Sequence, residues 1–129
     1  MAGDTHMMHC FAFSEIEGAS QQDWAAFKKA TEDLPKSMTG VVLHVWHGKL
    51  RRPLNQYRID AVAGKKLTGG EKDVDGKINL VKHTYGVCME MAGEESLKVY
   101  EKHPAHEAWV KVYEKVRVEG STTYDILGQ

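Results

Sequence analysis

The stretch that decides the fold is "VYEKHPAHEAW", residues 99–109, where a proline interrupts a helical pattern between two histidines. Proline has no backbone N–H, so it is disruptive inside a helix but tolerated at the first helical position. The stretch therefore predicts two helical pieces, the second beginning at Pro104. His106 lies three and four residues before Trp109 and Val110 and shares their apolar face. A histidine is thus expected on the core side of the restarted helix.

A histidine in that position is expected to be neutral at pH 7. Burial and the positive end of the helix dipole both disfavour the imidazolium form, which leaves a ring nitrogen able to accept a proton. Tyr100, on the preceding helical piece, is also predicted to face inward, and a phenol with a neutral imidazole can form an acid–base pair. Alternatively, both are core residues whose polar tips bond to the backbone, and their spacing alone leaves both interpretations open.

The elements around this stretch predict an α+β, ferredoxin-like subunit. Strands are predicted at 6–13, 39–48, 85–91 and 122–127, because apolar and β-branched residues dominate those ranges. A helix that Ser20 opens and Pro35 ends carries a buried stripe of Trp24, Phe27, Thr31 and Leu34. With a second helical region from residue 93 onward, the order is β-α-β-β-α-β, which gives an antiparallel sheet with its helices on one face.

The segment at about 49–84 is too long for an ordinary loop and is predicted to be an insertion. "QYRIDAV" (56–62) and "KINLVKH" (77–83) have strand composition, and the polar segment 64–76 between them is turn-rich. We therefore expect an extra β-hairpin. The whole chain, 1–129, is predicted to be a single domain that includes this insertion.

Composition narrows the class of protein and its partners. A net charge of −1 gives no general attraction for nucleic acid, and no apolar run approaches the length of a membrane span. With two cysteines and no signal-peptide pattern, we expect a cytoplasmic protein. A sheet with helices on one face leaves its other face bare, and the chain has no spare element to cover it. A second copy of the chain is the simplest cover, which predicts a homodimer.

Histidines and cysteines offer a different kind of site. Three HxxH pairs occur (His6/His9, His44/His47 and His103/His106), and one member of each could reach a shared copper, zinc or haem site. On a regular strand, however, residues three apart point to opposite faces, so neither strand pair can chelate one ion alone. Cys10 and Cys88 fall on neighbouring strands, either close enough to oxidise together or simply as small buried apolar residues. We predict neither a metal site nor a cofactor.

The sequence "YEKHPAHEAWVKVY" (100–113), preceded by "YGVCMEM" and "ESLKVY", resembles the stress-responsive dimeric α/β-barrel (Dabb) family, which includes olivetolic acid cyclase. The match also takes in "HCFAFSEIEGAS" and "TGVVLHVWHG" and leaves out only about 49–84. The resemblance implies two ferredoxin-like subunits whose sheets meet in a barrel. In that cyclase, a tyrosine and a histidine that map onto Tyr100 and His106 perform an aldol-type cyclisation. A further cavity histidine of the cyclase falls at about Val87, where this chain departs.

The predicted function is therefore a small-molecule cavity with lyase- or cyclase-type chemistry on an apolar compound that bears a carbonyl group. His106 and Tyr100 are the predicted catalytic residues, and the predicted ligand-binding residues are Trp109, Val87, Phe27 and His103. Two alternatives remain open at this point. The chain is a non-catalytic protein whose barrel serves stability under stress, or it is a metal- or haem-binding barrel protein.

Overall fold

The structure is a computed structural model that describes residues 6–61 and 76–128, with side chains described for 6–56 and 81–128. The elements are β1 (Met7–Glu15), α1 (Gln21–Glu32), α2 (Leu34–Ser37), β2 (Val42–Ala61), β3 (Gly76–Met91), α3 (Glu94–Lys102), α4 (Pro104–Tyr113) and β4 (Arg117–Leu127). The four strands form one sheet in the order β2-β3-β1-β4, and each neighbouring pair is antiparallel. The predicted α+β, ferredoxin-like architecture is confirmed.

Helix α1 begins as predicted but ends differently. The Asp23 N–H donates to Ser20 Oγ at 3.0 Å, and the Ser20 N–H donates to the Asp23 carboxylate at 3.2 Å, which completes a capping box. The prediction that Pro35 ends this helix is wrong. Helix α1 ends at Glu32, and Pro35 lies in the first turn of the short helix α2, where a missing N–H costs no hydrogen bond.

The predicted helix break at Pro104 is confirmed. Helix α3 ends at Lys102 and α4 begins at Pro104. Between them His103 adopts an extended backbone, with φ −73° and ψ 139°, as the residue before a proline prefers. Its Nδ1 accepts the Ala105 N–H at 3.0 Å, so the side chain of His103 caps α4.

The predicted hairpin is present, and it is a continuation of two sheet strands. Strand β2 continues past residue 48 to Ala61, and β3 begins at Gly76 rather than at residue 85. The two strands pair along this extension, from Leu54 opposite His83 to Ala61 opposite Gly76. A register shift between Lys49 and Leu54 separates the two halves of this pairing. The predicted turn at 64–76 lies almost entirely outside the described residues.

The distal part of this hairpin bends across the helix-free face of the sheet. The Thr122 hydroxyl on β4 donates to the side-chain oxygen of Gln56 on β2. These strands are the two edges of the sheet, and three spacings of about 4.8 Å would separate them in a flat sheet, beyond the reach of a glutamine. A Cβ on Gly86 would lie 2.9 Å from Leu50 Cδ2, so glycine leaves the space that the bent strand fills. The expectation that the chain has nothing to cover this face is therefore wrong in part.

The core lies between the sheet and the helices and is largely aromatic. Its fully buried members include Phe13, Phe27, Val87, Met89 and Met91. One polar link crosses it: the Trp109 Nε1–H donates to Thr31 Oγ1 at 2.8 Å, and that hydroxyl donates to the Phe27 carbonyl at 2.7 Å. This link fixes α4 against α1.

The helix-free face still exposes apolar side chains beside the bent hairpin. Trp46, Cys88, Cys10 and Tyr124 lie in one row across β2, β3, β1 and β4. Trp46 is 82% exposed and Tyr124 is 52% exposed. Both thiols are free, and the predicted adjacency of the two cysteine-bearing strands is confirmed. None of the described helices is long and apolar enough to cross a membrane.

Candidate functional site

The helix break brings the predicted catalytic pair together. Tyr100 lies in the last turn of α3 and His106 in the first turn of α4, with the centres of their rings 4.5 Å apart. Tyr100 is 3% exposed, whereas His106 is partly open to the outside. Without Pro104, one continuous helix would carry both residues, six positions apart and so on different faces. The restart of the helix therefore creates this contact.

The two side chains have opposite pKa shifts for the same reason. Burial lowers the pKa of His106, and a hydrogen bond with the Glu101 backbone only partly opposes this. Burial also raises the pKa of Tyr100, because the phenolate is even harder to bury than the phenol. At neutral pH the pair is therefore a neutral imidazole and a protonated phenol, so that His106 can accept a proton and Tyr100 can donate a hydrogen bond.

A second histidine, His9, belongs to this site and was not among the predicted site residues. Its ring centre lies 5.9 Å from that of Tyr100, and its Nδ1 lies 2.6 Å from Asp125 Oδ1 on β4. An ionised carboxylate only accepts hydrogen bonds, so His9 donates Nδ1–H and keeps Nε2 as an acceptor when neutral. The alternation in "HCFAF" places His9 with Phe11 and Phe13 on the core face, and this period of two is the signal that could have identified it.

These residues line a cleft of about 230 Å³ between the helix break and strands β1 and β4. Trp109 forms one wall and stacks on His106, with ring centres 5.9 Å apart and planes 22° apart. The Tyr113 hydroxyl, also at the cleft, is buried and makes no hydrogen bond of good geometry with a described residue. The cleft thus combines aromatic walls with a few polar groups, which is typical of small-molecule sites.

The other predicted site residues are placed outside the lining of this cleft. Val87 is fully buried on β3, opposite Phe11, and Phe27 is fully buried behind Trp109 at a ring distance of 6.1 Å. Both support the aromatic walls from the core. His103 caps α4 and lines a shallow surface depression with Lys98 and Val99 instead.

The three HxxH pairs are split between different places, as strand geometry requires. His6, just before β1, and His44, on β2, each lie 2.7 Å from the Glu90 carboxylate on the helix-free face. His47 bonds to Tyr85 and Glu32. Among the residues that the structure describes, no three metal-ligating side chains are grouped so that they could hold an ion.

A second, larger cavity of about 750 Å³ lies between α1 and the edge strand β2, and it shares no residue with the cleft. It also contains an imidazole beside a phenol, His47 and Tyr85. The acid–base pair is nevertheless assigned to the smaller cleft, because burial lowers the pKa of His106 there. The aromatic core stands between the two: Phe13 contacts Tyr85 on one side and Tyr113 on the other, with ring distances of 5.3 and 5.1 Å.

Known structures share this fold, although no protein-family model and no curated protein matches the chain. A dimeric protein with a ferredoxin-like fold from Bacteroides fragilis is 17% identical, with a TM-score of 0.56 and 95% of each chain covered. Hydroxynitrile lyase from Passiflora edulis is 10% identical, with a TM-score of 0.62, and the match covers 98% of this chain and 96% of the lyase.

The third similar structure is a Dabb family protein from Mesorhizobium loti, which also has a ferredoxin-like fold. It is 17% identical, with a TM-score of 0.56, and the match covers 97% of this chain and 98% of that protein. The insertion is therefore no obstacle to matching nearly the full length. At the level of the fold, the predicted resemblance is confirmed: this chain has the ferredoxin-like fold of a Dabb family protein.

Proposed function

We propose that the chain is a single-domain, homodimeric, cytoplasmic protein of the Dabb kind that performs acid–base chemistry on a small apolar compound bearing a carbonyl group. The observation that carries this proposal is the contact of neutral His106 with the protonated phenol of Tyr100 at the cleft. One group is ready to take a proton and the other to donate a hydrogen bond, and these are the two roles that proton abstraction next to a carbonyl requires.

In the proposed reaction, His106 removes a proton from the carbon next to the carbonyl group. Negative charge develops on the carbonyl oxygen, and a hydrogen bond from Tyr100 stabilises it. His9, oriented by Asp125, presents Nε2 to the same cleft and accepts a hydrogen bond from a substrate hydroxyl. The step moves protons only, so it needs no cofactor.

The dimensions of the cleft limit the substrate. Its 230 Å³ lies below the range of about 300–1,000 Å³ that is usual for drug-sized ligands. A compound with one ring, or a short chain with a carbonyl group, fits such a volume. One protein with this fold is a hydroxynitrile lyase, which supports lyase-type chemistry on a small molecule here.

The homodimer is supported by the apolar row on the helix-free face. A tryptophan that is 82% exposed beside other apolar side chains is typical of an interface, because aromatic residues are enriched in interface cores. Proteins of this fold from Bacteroides fragilis and Thermobifida fusca are dimeric. We infer that a second copy packs on the part of the face that the bent hairpin leaves open.

Thermal-shift titrations with small aromatic, polyketide-like and lipid-like carbonyl compounds test the proposed site. A compound that binds only the folded state stabilises it by about 2.7 kcal/mol at a hundredfold excess over Kd. We expect a shift in the wild type that His106→Gln and Tyr100→Phe weaken and that His44→Gln, a histidine change on the helix-free face, leaves intact.

A ligand found in this way then serves as the substrate for a proton-exchange assay in heavy water, read by NMR. We expect deuterium to enter next to the carbonyl group in the wild type and not with His106→Gln. A panel that gives no shift, together with a His106→Gln variant that has lost stability, would refute the proposal. It would leave the non-catalytic stress protein as the better interpretation.

A further inference from the structure

The larger cavity contains a chain of three hydrogen-bonded side chains that the proposed function does not use. His47 Nδ1 lies 2.8 Å from Tyr85 Oη, and His47 Nε2 lies 2.8 Å from Glu32 Oε2. The His47 and Tyr85 rings are stacked, with planes 22° apart. Three elements, α1, β2 and β3, contribute one residue each, so the arrangement belongs to the tertiary fold and not to a local turn.

The direction of the hydrogen bonds follows from the chemistry of the three groups. The Glu32 carboxylate only accepts, so His47 donates Nε2–H to it. In the tautomer with its single proton on Nε2, the His47 ring has an acceptor at Nδ1, and Tyr85 donates its hydroxyl proton to it. Burial raises the pKa of Tyr85, and nearby Glu15 and Glu32 raise it further, so this proton stays on the phenol. Among the side chains that the structure describes, only His47 bonds to Tyr85 Oη, so a lone pair of this oxygen can accept a hydrogen bond from a ligand.

The lining of the cavity combines acceptors with aromatic and cationic side chains, the cations being Lys28 and Lys49. Trp24 and Tyr85 lie with ring centres 5.1 Å apart and supply an aromatic surface. The Glu15 side chain is 24% exposed, whereas its partner Lys49, 3.4 Å away, is 76% exposed. The carboxylate thus faces inward more than the ammonium group does, since a lysine head reaches toward water.

From this arrangement we infer a second binding site, between α1 and β2, for a small planar aromatic molecule that carries a hydroxyl donor, that is, a simple phenol. Its ring lies on Trp24 and Tyr85, and its hydroxyl donates to Tyr85 Oη, which His47 and Glu32 hold in position. The site stands apart from the His106 cleft, and its existence does not depend on the reaction proposed there.

The test compares p-cresol with 4-methylanisole, which is p-cresol with its hydroxyl proton replaced by a methyl group and therefore has no donor. The chain has three tryptophans, one at each surface of interest: Trp24 at this cavity, Trp109 at the cleft and Trp46 on the helix-free face. Their indole N–H signals in a ¹H–¹⁵N spectrum, assigned with single Trp→Phe variants, report where each probe binds.

We expect p-cresol to move the Trp24 signal and to bind about fivefold to tenfold more tightly than 4-methylanisole, which is the worth of one neutral hydrogen bond. Tyr85→Phe keeps the ring and should bring the two affinities together. Glu32→Gln, an exposed change, should reduce the preference without affecting the fold. The inference is overturned if the probes move the Trp109 or Trp46 signal instead, if no signal moves, or if the wild type binds both probes equally.

Discussion

Replacement of Thr31 by valine tests the polar link that joins helices α1 and α4 through the core. Thr31 is fully buried, and its hydroxyl is the acceptor for the indole N–H of Trp109, which is 4% exposed. Valine keeps the shape but removes that acceptor. The Phe27 carbonyl still has its helical N–H partner, so only the indole donor is left unpaired. A buried donor without a partner costs about 1–3 kcal/mol, and we expect Thr31→Val to lower the free energy of unfolding by that amount.

Thr31→Ser is the matched control, because serine keeps the hydroxyl and loses a methyl group, at a cost of about 0.8 kcal/mol. The assay is urea unfolding followed by far-ultraviolet circular dichroism at one fixed protomer concentration, with the slope checked for constancy. In a Trp109→Phe background the donor is gone, and Thr31→Val should then cost little. Hydrophobicity alone predicts the opposite order, so a valine variant as stable as the serine variant would refute the reasoning.

Three further predictions concern the assembly, the pH response and the thiols. Trp46→Ala should weaken the homodimer. Trp46 is 82% exposed, and burying that fraction of a side-chain surface of about 200 Å² at about 25 cal/mol/Å² would contribute at most about 4 kcal/mol per protomer to the dimer. Sedimentation velocity over a dilution series should show monomers for this variant and not for the control Val99→Ala on α3. Burial lowers the pKa of His106, so the stability that the neutral imidazole contributes is complete above the ordinary pKa of 6.5 and is lost as pH falls through the lowered pKa. The His106→Gln variant should therefore show a flatter acid side in a plot of the free energy of unfolding against pH. Cys10 is buried and Cys88 is partly exposed, and burial, followed by a hydrogen bond with Cys88, raises the pKa of Cys10 from 9.0 to about 12. In the monomeric Trp46→Ala variant, where no second copy covers this face, iodoacetamide should therefore modify Cys88 before Cys10, and equal rates by mass spectrometry would contradict this.

Features that depend on neighbours in the sequence could be predicted from the sequence. The capping box at Ser20 and the restart at Pro104 follow from local rules on free N–H groups, and the contact of Tyr100 with His106 follows from that restart. Features that depend on distant partners could not. Asp125, which orients His9, is 116 residues away, and the sequence around either residue does not indicate that the two are in contact.

The hairpin shows the same limit at the scale of a whole element. Strand composition in 56–62 and 77–83 predicted a hairpin, and the pairing of β2 with β3 confirms it. Its bend across the sheet depends on the open space at Gly86 and on the contact with Thr122, and a strand-like pattern contains neither. The prediction about Pro35 failed for a different reason, because a proline that stops one helix is equally suited to the first turn of another.

The contact between Gln56 and Thr122 also has a consequence for the order in which the chain folds. It closes a loop of 66 residues and requires β4 to be in place on β1 beforehand. Closing such a loop costs entropy, and the contacts that offset this cost form only after the sheet exists. The bent part of the hairpin should therefore form after the rate-limiting transition state of folding. Interactions that form after the barrier hold the native state together by slowing its unfolding and leave its folding rate unchanged. The bent part of the hairpin thus slows the unfolding of a sheet that assembles without it.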